Sequence, residues 1–196
     1  MEIIPLGSTC SIAFQLRKLG KRKNAYPFDW VRINNLATIT NLIDSDFSGF
    51  LDRDSFKFNE ISNRFLVKNE MKSYLYQNRF CRFFHEFDDY INDRSFYEFE
   101  NKYNRRISRL INAIKVKKKL LFIREEIGNL SRNKINNFIN MINKINPNLE
   151  WKLKIIVNKK KFLCLQRDNV EIIYSSQKVN DWRRPELDWE SIFIYE

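Results

Sequence analysis

Covalent chemistry in this chain depends on three cysteines and one histidine. Hydrolysis or acyl transfer by a thiol requires a thiolate, an imidazole that exchanges a proton with it, a group that orients the imidazole, and hydrogen-bond donors for the oxyanion. Because the sequence contains a single histidine, any cysteine–histidine reaction must use His85. Cys81 stands among phenylalanines and Cys164 in a predicted strand, so we expect both to be buried packing residues. Cys10 is therefore the candidate nucleophile.

The surroundings of Cys10 favour an activated thiol, because this residue stands between a predicted strand and a predicted helix. An apolar run ends at Gly7, and the hydroxyl side chains of Ser8 and Thr9, a type that commonly caps helices, come directly before Cys10. Unpaired backbone N–H groups and the helix dipole favour a thiolate at such a position. The predicted helix has apolar residues at helical spacing and ends at a glycine: Ile12, Ala13, Leu16, Leu19 and Gly20.

An aromatic loop, Tyr26–Trp30, follows this helix and carries the carboxylate Asp29. Three aromatic side chains around a proline are too apolar for a free loop, so we expect the segment to pack against the helix and shelter Asp29. Asp29 could then orient His85, or it could form an Asx turn after the proline. Asp88, three residues beyond His85, competes for the orienting role.

Each candidate also has a purely structural interpretation. Cys10 could be a small residue that fills the junction between strand and helix, and His85 could be a partly buried histidine bonded to a backbone carbonyl. Arg124, at the end of a predicted strand, could bind a carboxylate or phosphate on a substrate. It could equally form a surface salt bridge with Glu125 or Glu126. The residue types alone leave these alternatives open.

The sequence around these candidates resembles a known family. Leu6-Gly7-Ser8-Thr9-Cys10, Leu16-Arg17 and Tyr26-Pro27-Phe28-Asp29-Trp30 are similar to the opening of the DUF1796 family, whose description is "putative papain-like cysteine peptidase". Three later segments are also similar to the family: Phe84-His85-Glu86-Phe87, Phe122-Ile123-Arg124 and Trp189. The resemblance covers most of the chain and is dense in residues 3–30.

The resemblance implies a single-domain protein of bacteria or large DNA viruses in which Cys10 is the nucleophile and His85 its partner. The sequence departs from the family pattern at Glu86, where the family has aspartate. A papain-like enzyme is also expected to have a glutamine before the nucleophile for its oxyanion hole, and none precedes Cys10. The backbone N–H of Cys10 and the groups of Ser8 and Thr9 would have to serve instead.

The order of the apolar segments predicts an α/β protein in which residues 1–196 form a single domain. Strand, helix and strand with short connections favour an open, largely parallel sheet flanked by helices, with sites at the carboxyl ends of its strands. Pro5 within the first strand favours an edge position for that strand. The alternative is an α+β papain-like fold with an antiparallel sheet.

Further predicted helices are Leu36–Ile43, Phe96–Ile114 and Ile135–Ile145, and further strands are Leu120–Ile123, Leu153–Val157, Phe162–Leu165 and Val170–Tyr174. Loops are predicted over Phe47–Phe58, and short strands or turn flanks at Phe65–Val67 and Tyr74–Tyr76.

The composition limits the other classes of function. Lysines and arginines number 35 against 24 acidic residues, a formal charge of +11 that would support nucleic-acid binding if it were clustered. We interpret this positive charge as mainly a feature of the overall composition, and nucleic-acid binding as the secondary interpretation. No apolar run of membrane-spanning length and no secretory signal is present, so we expect a cytoplasmic protein, in the host cytoplasm if it is viral. Three cysteines without metal-ligand spacing argue against a disulfide framework and structural zinc.

The sequence thus favours a thiol hydrolase or acyl transferase that acts on a peptide, amide or ester and requires no metal or organic cofactor. Cys10 is the predicted nucleophile, His85 the general base and acid, and Asp29 the orienting carboxylate. The predicted substrate-binding residues are Ser8, Thr9 and Arg124. Of these, Ser8 and Thr9 would help to stabilise the oxyanion. The alternative is a non-catalytic module whose strand-end cleft binds a nucleotide, nucleic acid or anionic glycan. An inactive peptidase fold kept for interaction is a third possibility, and the oligomeric state is not indicated.

Overall fold

Two four-stranded sheets form the framework of this protein in a computed structural model that describes residues 1–66, 69–176 and 181–195. One sheet is parallel, the other is antiparallel, and helices pack on both faces of the parallel one. The elements in chain order are β1 (Glu2–Pro5), α1 (Ser11–Lys18), β2 (Val31–Arg32), α2 (Leu36–Asp44), β3 (Lys57–Leu66), β4 (Asn69–Gln77), β5 (Arg82–Phe83), α3 (Asp93–Val116), β6 (Lys119–Glu126), α4 (Arg132–Ile145), β7 (Glu150–Val157), β8 (Val170–Tyr174) and α5 (Trp189–Ile192), with 3₁₀ turns at Arg53–Ser55 and Lys160–Leu165.

The parallel sheet has the strand order β1-β6-β7-β8 and confirms the predicted α/β core. β1 is an edge strand, as Pro5 indicated, since proline has no N–H to donate to a second neighbour. The N–H of Leu6 donates to the carbonyl of Ile123 at 2.8 Å and continues the pairing just beyond Pro5. The carboxyl ends of β1 and β6 therefore lie side by side.

The side chains of β6 alternate between two apolar clusters. Leu121 and Ile123 pack with Ile12 and Leu16 of α1 and with α5. Phe122 packs on the opposite face in the large core that also contains α2, α3 and α4. This alternation, which is the ordinary two-residue period of a strand, decides which face each charged residue at the end of β6 will reach.

The antiparallel sheet has the order β2-β5-β4-β3 and was not predicted as a sheet. Its long hairpin pairs Lys57 with Gln77 and continues to Leu66 and Asn69. Two features hide it in the sequence. The register shifts between Phe58 and Glu60, which interrupts the alternation of apolar and polar residues, and Phe58 is an exposed aromatic residue in the strand. The segment predicted at Phe65–Val67 lies partly outside the described residues.

Two further predictions are wrong near the end of the chain. Lys160–Leu165 is a 3₁₀ helix, where Phe162–Leu165 was predicted to be a strand. We expected Cys164 to be buried, but it is exposed. In this 3₁₀ turn Phe162 is the buried residue. Four apolar residues are too few for their period to separate a strand from a helical turn. Cys81 is buried, as predicted.

A cluster of aromatic rings joins α3 to the antiparallel sheet. Phe99 of α3 lies 5.3 Å from Phe83 of β5 and 4.5 Å from Tyr103 between ring centroids. A capping box at Asn92 and Ser95 fixes where α3 begins. The loop between β5 and α3 is thereby held at both ends, and this loop contains His85. No helix within the described ranges 1–66, 69–176 and 181–195 is long and apolar enough to cross a membrane.

We expect Phe99→Ala to lower the free energy of unfolding by about 3–5 kcal/mol, the usual cost of removing a buried aromatic ring. Tyr97→Ala is the matched control, because Tyr97 lies on the same helix, is 65% exposed, and should change stability by no more than about 0.5 kcal/mol. Urea denaturation followed by circular dichroism measures both variants. Equal losses would show that the aromatic cluster does not hold α3 in place.

Candidate active site

Cys10 is the N-cap residue of α1, so its thiol lies where the helix begins. Its backbone angles are φ −78° and ψ −3°, and its side chain does not cap the helix. We had expected Ser8 and Thr9 to supply the cap. The sharp turn after β1, with φ 65° at Gly7 and φ 82° at Ser8, places both of them before the helix begins. The first-turn N–H groups and the helix dipole remain directed at Cys10.

The structure brings Cys10 and His85 together across 75 residues of chain. The Sγ atom of Cys10 lies 3.4 Å from Nε2 of His85. Cys10 is partly exposed and His85 is exposed, so the pair opens to solvent. The edge of Trp30 packs against the imidazole, with ring centroids 5.5 Å apart at an angle of 72°. This arrangement has the thiol, the imidazole and the access that nucleophilic catalysis requires.

The loop around His85 is anchored on both sides. Toward β4, the hydroxyl of Ser73 donates to the carbonyl of Phe84 at 2.7 Å, and the N–H of Tyr74 donates to the carbonyl of Phe87 at 2.9 Å. Toward α3, the side chain of Glu86 accepts hydrogen bonds from the hydroxyl of Tyr103 at 3.0 Å and the guanidinium of Arg106 at 3.4 Å, and it forms an ion pair with the ammonium of Lys102. Glu86 therefore fastens the loop to α3.

Asp29 is buried, as the aromatic loop predicted, and is paired with Arg22. Nη2 of Arg22 donates to Oδ2 at 2.5 Å and the N–H of Tyr26 donates to the same oxygen at 3.2 Å, while Oδ1 has no hydrogen-bond partner. Burial raises the pKa of the Asp29 carboxyl, against the opposing effect of Arg22. Arg22 also lies 5.7 Å from the centroid of the Trp30 ring. Arg22 and Trp30 thus connect Asp29 to His85.

Ser8 and Thr9 fix the turn before Cys10. Ser8 is fully buried, so its hydroxyl does not face a substrate. The hydroxyl of Thr9 donates to Oε2 of Glu125 at 2.9 Å, and the hydroxyl of Ser11 donates to the same oxygen at 3.2 Å. The residues on either side of Cys10 are therefore bound to one carboxylate, which sequence reasoning had not assigned to the site.

Glu125 is held in turn by Arg184. Nη1 of Arg184 bonds to Oε1 of Glu125, and Nη2 donates to the hydroxyl of Ser175 at 3.1 Å. Arg184 and Glu125 are both buried, and the backbone of Arg184 is left-handed at φ 51°. The carboxyl ends of β1 and β6 do meet, but Glu125, and not Arg124, binds the hydroxyls on either side of Cys10. The alternation of β6 is the signal that could have identified Glu125, since Leu121 and Ile123 face α1.

Arg124 lies on the opposite face of β6 and has no exposed surface. Its three nitrogens donate inside the protein: Nε to Glu126 at 2.8 Å, Nη1 to the carbonyl of Leu6 at 2.8 Å, and Nη2 to the carbonyl of Ile33 at 3.1 Å. This placement does not support the predicted contact with substrate, because the side chain is fully buried and each of its three nitrogens donates to the protein. It equally removes Arg124 from the anion-binding cleft of the alternative interpretation.

Comparison with known proteins gives one family and one relative. Residues 1–161 match the family described as "Putative papain-like cysteine peptidase (DUF1796)". The chain is also similar to "Uncharacterized protein R408" of Acanthamoeba polyphaga mimivirus, with 33% identity over 224 aligned positions that cover 98% of this chain and 97% of the relative. No solved structure gives a significant match.

Because Asp29 is buried beside Arg22, we expect the stability of the fold to depend on pH. A carboxyl whose pKa is raised in the folded state binds its proton more tightly there than in the unfolded chain. The stability of the fold therefore decreases as pH rises from the unfolded pKa through the raised one. Removing the cation with Arg22→Met should raise the pKa of Asp29 further. We expect the loss of stability to be about 3 kcal/mol at pH 7, and smaller at pH 4–5.

Denaturant unfolding from pH 4 to 8 measures this effect, with Asp29→Asn in the Arg22→Met background as the control. The second substitution removes the titrating group and should flatten the pH dependence. A loss from Arg22→Met that is the same at every pH would contradict the prediction.

Proposed function

The chain belongs to the DUF1796 family, and from its Cys10–His85 pair we propose that it is a thiol hydrolase or acyl transferase acting on a peptide, amide or ester. The observation that carries the proposal is the 3.4 Å distance between Sγ of Cys10 and Nε2 of His85 at the beginning of α1. An imidazole in contact with a thiol at a helix N-terminus favours the thiolate–imidazolium form.

In the first half of the reaction, His85 accepts the proton of the Cys10 thiol and the thiolate attacks the carbonyl carbon of the substrate. The resulting tetrahedral intermediate collapses when the bond from carbon to the leaving nitrogen or oxygen breaks. The leaving group takes the proton from the His85 imidazolium, and a thioester to Cys10 remains.

In the second half, His85 accepts a proton from water, and the hydroxide attacks the thioester carbon. The C–S bond then breaks, a carboxylic acid leaves, and Cys10 and His85 return to their starting state. If an amine or alcohol takes the place of water, the same steps produce acyl transfer.

Backbone donors are the proposed support for the oxyanion. The N–H groups in the first turn of α1, together with that of Cys10, lie at the positive end of the helix dipole. The hydroxyls of Thr9 and Ser11 are engaged with Glu125. Their proposed role is to hold the backbone around Cys10 in the geometry from which its N–H groups can donate.

Asp29, Arg22 and Trp30 are proposed as positioning residues. The Asp29 carboxylate orients the guanidinium of Arg22, which lies over the Trp30 ring, and the edge of that ring contacts the imidazole of His85. In this proposal Asp29 acts on His85 through Arg22 and Trp30. Action in the host cytoplasm also stays a proposal, supported loosely by the viral relative.

The test is the rate of iodoacetamide alkylation at each cysteine from about pH 4 to 10, a range that spans the ordinary thiol pKa of about 8.5. Mass spectrometry reads the three cysteines separately, so exposed Cys164 and buried Cys81 serve as references within the same molecule. We expect Cys10 to react well below the reference pKa. In His85→Ala its rate at pH 6 should fall by about tenfold or more, because a free thiol with a pKa near 8.5 is less than about 1% ionised there.

Asp89→Ala is the matched control, since Asp89 is an exposed residue of the same loop and its removal should leave the Cys10 profile unchanged. A Cys10 that titrates like Cys164 whether or not His85 is present would rule out the thiolate–imidazolium pair. Cys10→Ala should abolish hydrolysis of activated thioesters and aryl esters without lowering the unfolding midpoint.

A further inference from the structure

An aromatic side chain lies next to the nucleophile on α1. Phe14 stands four residues after Cys10, and its N–H donates to the carbonyl of Cys10 at 3.0 Å. Residues four apart are neighbours on a helix surface, and side chains lean toward the helix N-terminus. The half-buried ring of Phe14 therefore borders the surface from which the thiol is reached.

Trp182 and Arg183 extend this aromatic surface. The Trp182 ring meets the Phe14 ring edge-on, with centroids 5.3 Å apart at 71°. The guanidinium of Arg183 lies 5.1 Å from the Trp182 centroid and 5.9 Å from that of Phe14. Trp182 is nevertheless 42% exposed, a large fraction for a side chain of this size. We call these three residues the aromatic platform.

The chain that carries Trp182 and Arg183 is fastened at two points, once to α1 and once to β6. Nε2 of Gln15 donates to the carbonyl of Arg183 at 2.6 Å. Arg184 is bonded to Glu125, the carboxylate that also holds the turn around Cys10. The position of the platform relative to Cys10 is thus set by buried hydrogen bonds, which is what precise recognition of a substrate group requires.

The platform carries little net charge. Arg183 forms an ion pair with Asp181, with 3.1 Å between Nη1 and Oδ2, and its N–H donates to Oδ1 of Asp181 at 2.9 Å. The cation is therefore matched by a carboxylate within the same turn. An acidic substrate group would have to compete with Asp181, whereas an uncharged ring can stack on the tryptophan at no such cost.

We propose that Phe14, Trp182 and Arg183 form a substrate subsite for an uncharged aromatic group on the substrate that Cys10 attacks. The proposal rests on the proposed function and names the substrate class of the same site. Trp182 and Arg183 lie beyond residues 1–161, the part that matches the family, so the family match does not cover this part of the subsite.

The experiment compares three chloroacetamides that share one reactive group. Each forms a bond from the Cys10 sulfur to the methylene carbon and releases chloride, and they differ in the amide substituent: methyl, benzyl or carboxymethyl. Second-order rates at Cys10 are divided by those at exposed Cys164 in the same molecule, which removes differences in intrinsic reactivity. The proteins are wild type, Trp182→Ala, Trp182→Phe and the exposed-site control Tyr97→Ala.

We expect the benzyl reagent to exceed the methyl reagent at Cys10 by about tenfold after this normalisation, which corresponds to about 1.4 kcal/mol. The preference should disappear in Trp182→Ala, persist in Trp182→Phe, and remain intact in Tyr97→Ala. An unchanged preference in Trp182→Ala would overturn the subsite. So would a preference for the carboxymethyl reagent, which would indicate an anion site at Arg183.

The two proposals fail in different ways. The subsite is tested by the ratio of benzyl to methyl rates, and the thiolate–imidazolium pair by the His85 dependence of the iodoacetamide rate at low pH. A wild-type Cys10 that depends on His85 but shows no benzyl preference would overturn the subsite alone. A benzyl preference at a Cys10 that titrates like a free thiol would overturn the proposed function and retain the aromatic surface.

Discussion

The site depends on the two-residue alternation of β6, which directs adjacent buried charges to opposite faces of the parallel sheet. Glu125 faces α1 and binds Thr9, Ser11 and Arg184. Arg124 faces the other way and binds Glu126 and two backbone carbonyls. Burying ions costs several kcal/mol each unless they are paired and hydrogen-bonded. Both networks satisfy this condition, so removing one member would leave an uncompensated charge beside the turn that holds Cys10.

His85 is positioned by a different principle. Its loop carries the buried carboxylate of Glu86, which has two hydrogen bonds and an ion pair to α3, and aromatic packing fixes α3 against the sheet. The histidine itself stays exposed and able to exchange protons, while its neighbours are immobilised. Cys10 and His85 are therefore positioned by two independent sets of contacts, and their side chains meet at a distance of 3.4 Å.

The parallel half of the fold was predictable because its strands are short apolar runs and its helices have clear stripes. Pro5 indicated the edge strand, and the glycine at position 20 indicated where α1 ends, with φ 66°. The β3–β4 hairpin was not predictable in the same way. Its strands have exposed side chains and a shifted register, so neither the helical nor the strand period dominates.

Within the site, the types of residue predicted the pair but not its surroundings. Cys10 and His85 followed from the helix-start pattern and from the single histidine. Arg124 was predicted to bind substrate because an arginine at a strand end is a typical anion-binding group. The alternation of side chains along β6, which places Glu125 on the face of Leu121 and Ile123, would have pointed to Glu125 instead. The proximity of Trp182 to Phe14 could not be predicted from the sequence. It depends on a contact between Gln15 and Arg183, which are 168 positions apart in the chain. Contacts of that kind require the structure.

The separation of Cys10 from His85 by 75 residues has a consequence for the life of the polypeptide. A ribosome-bound or partly unfolded chain carries an ordinary thiol at position 10, because its partner arrives only when the hairpin and α3 have packed. Glu125, which binds the residues on either side of Cys10, is synthesised later still. The contact between Cys10 and His85 is therefore a product of complete folding, and a chain that is still being synthesised cannot form it.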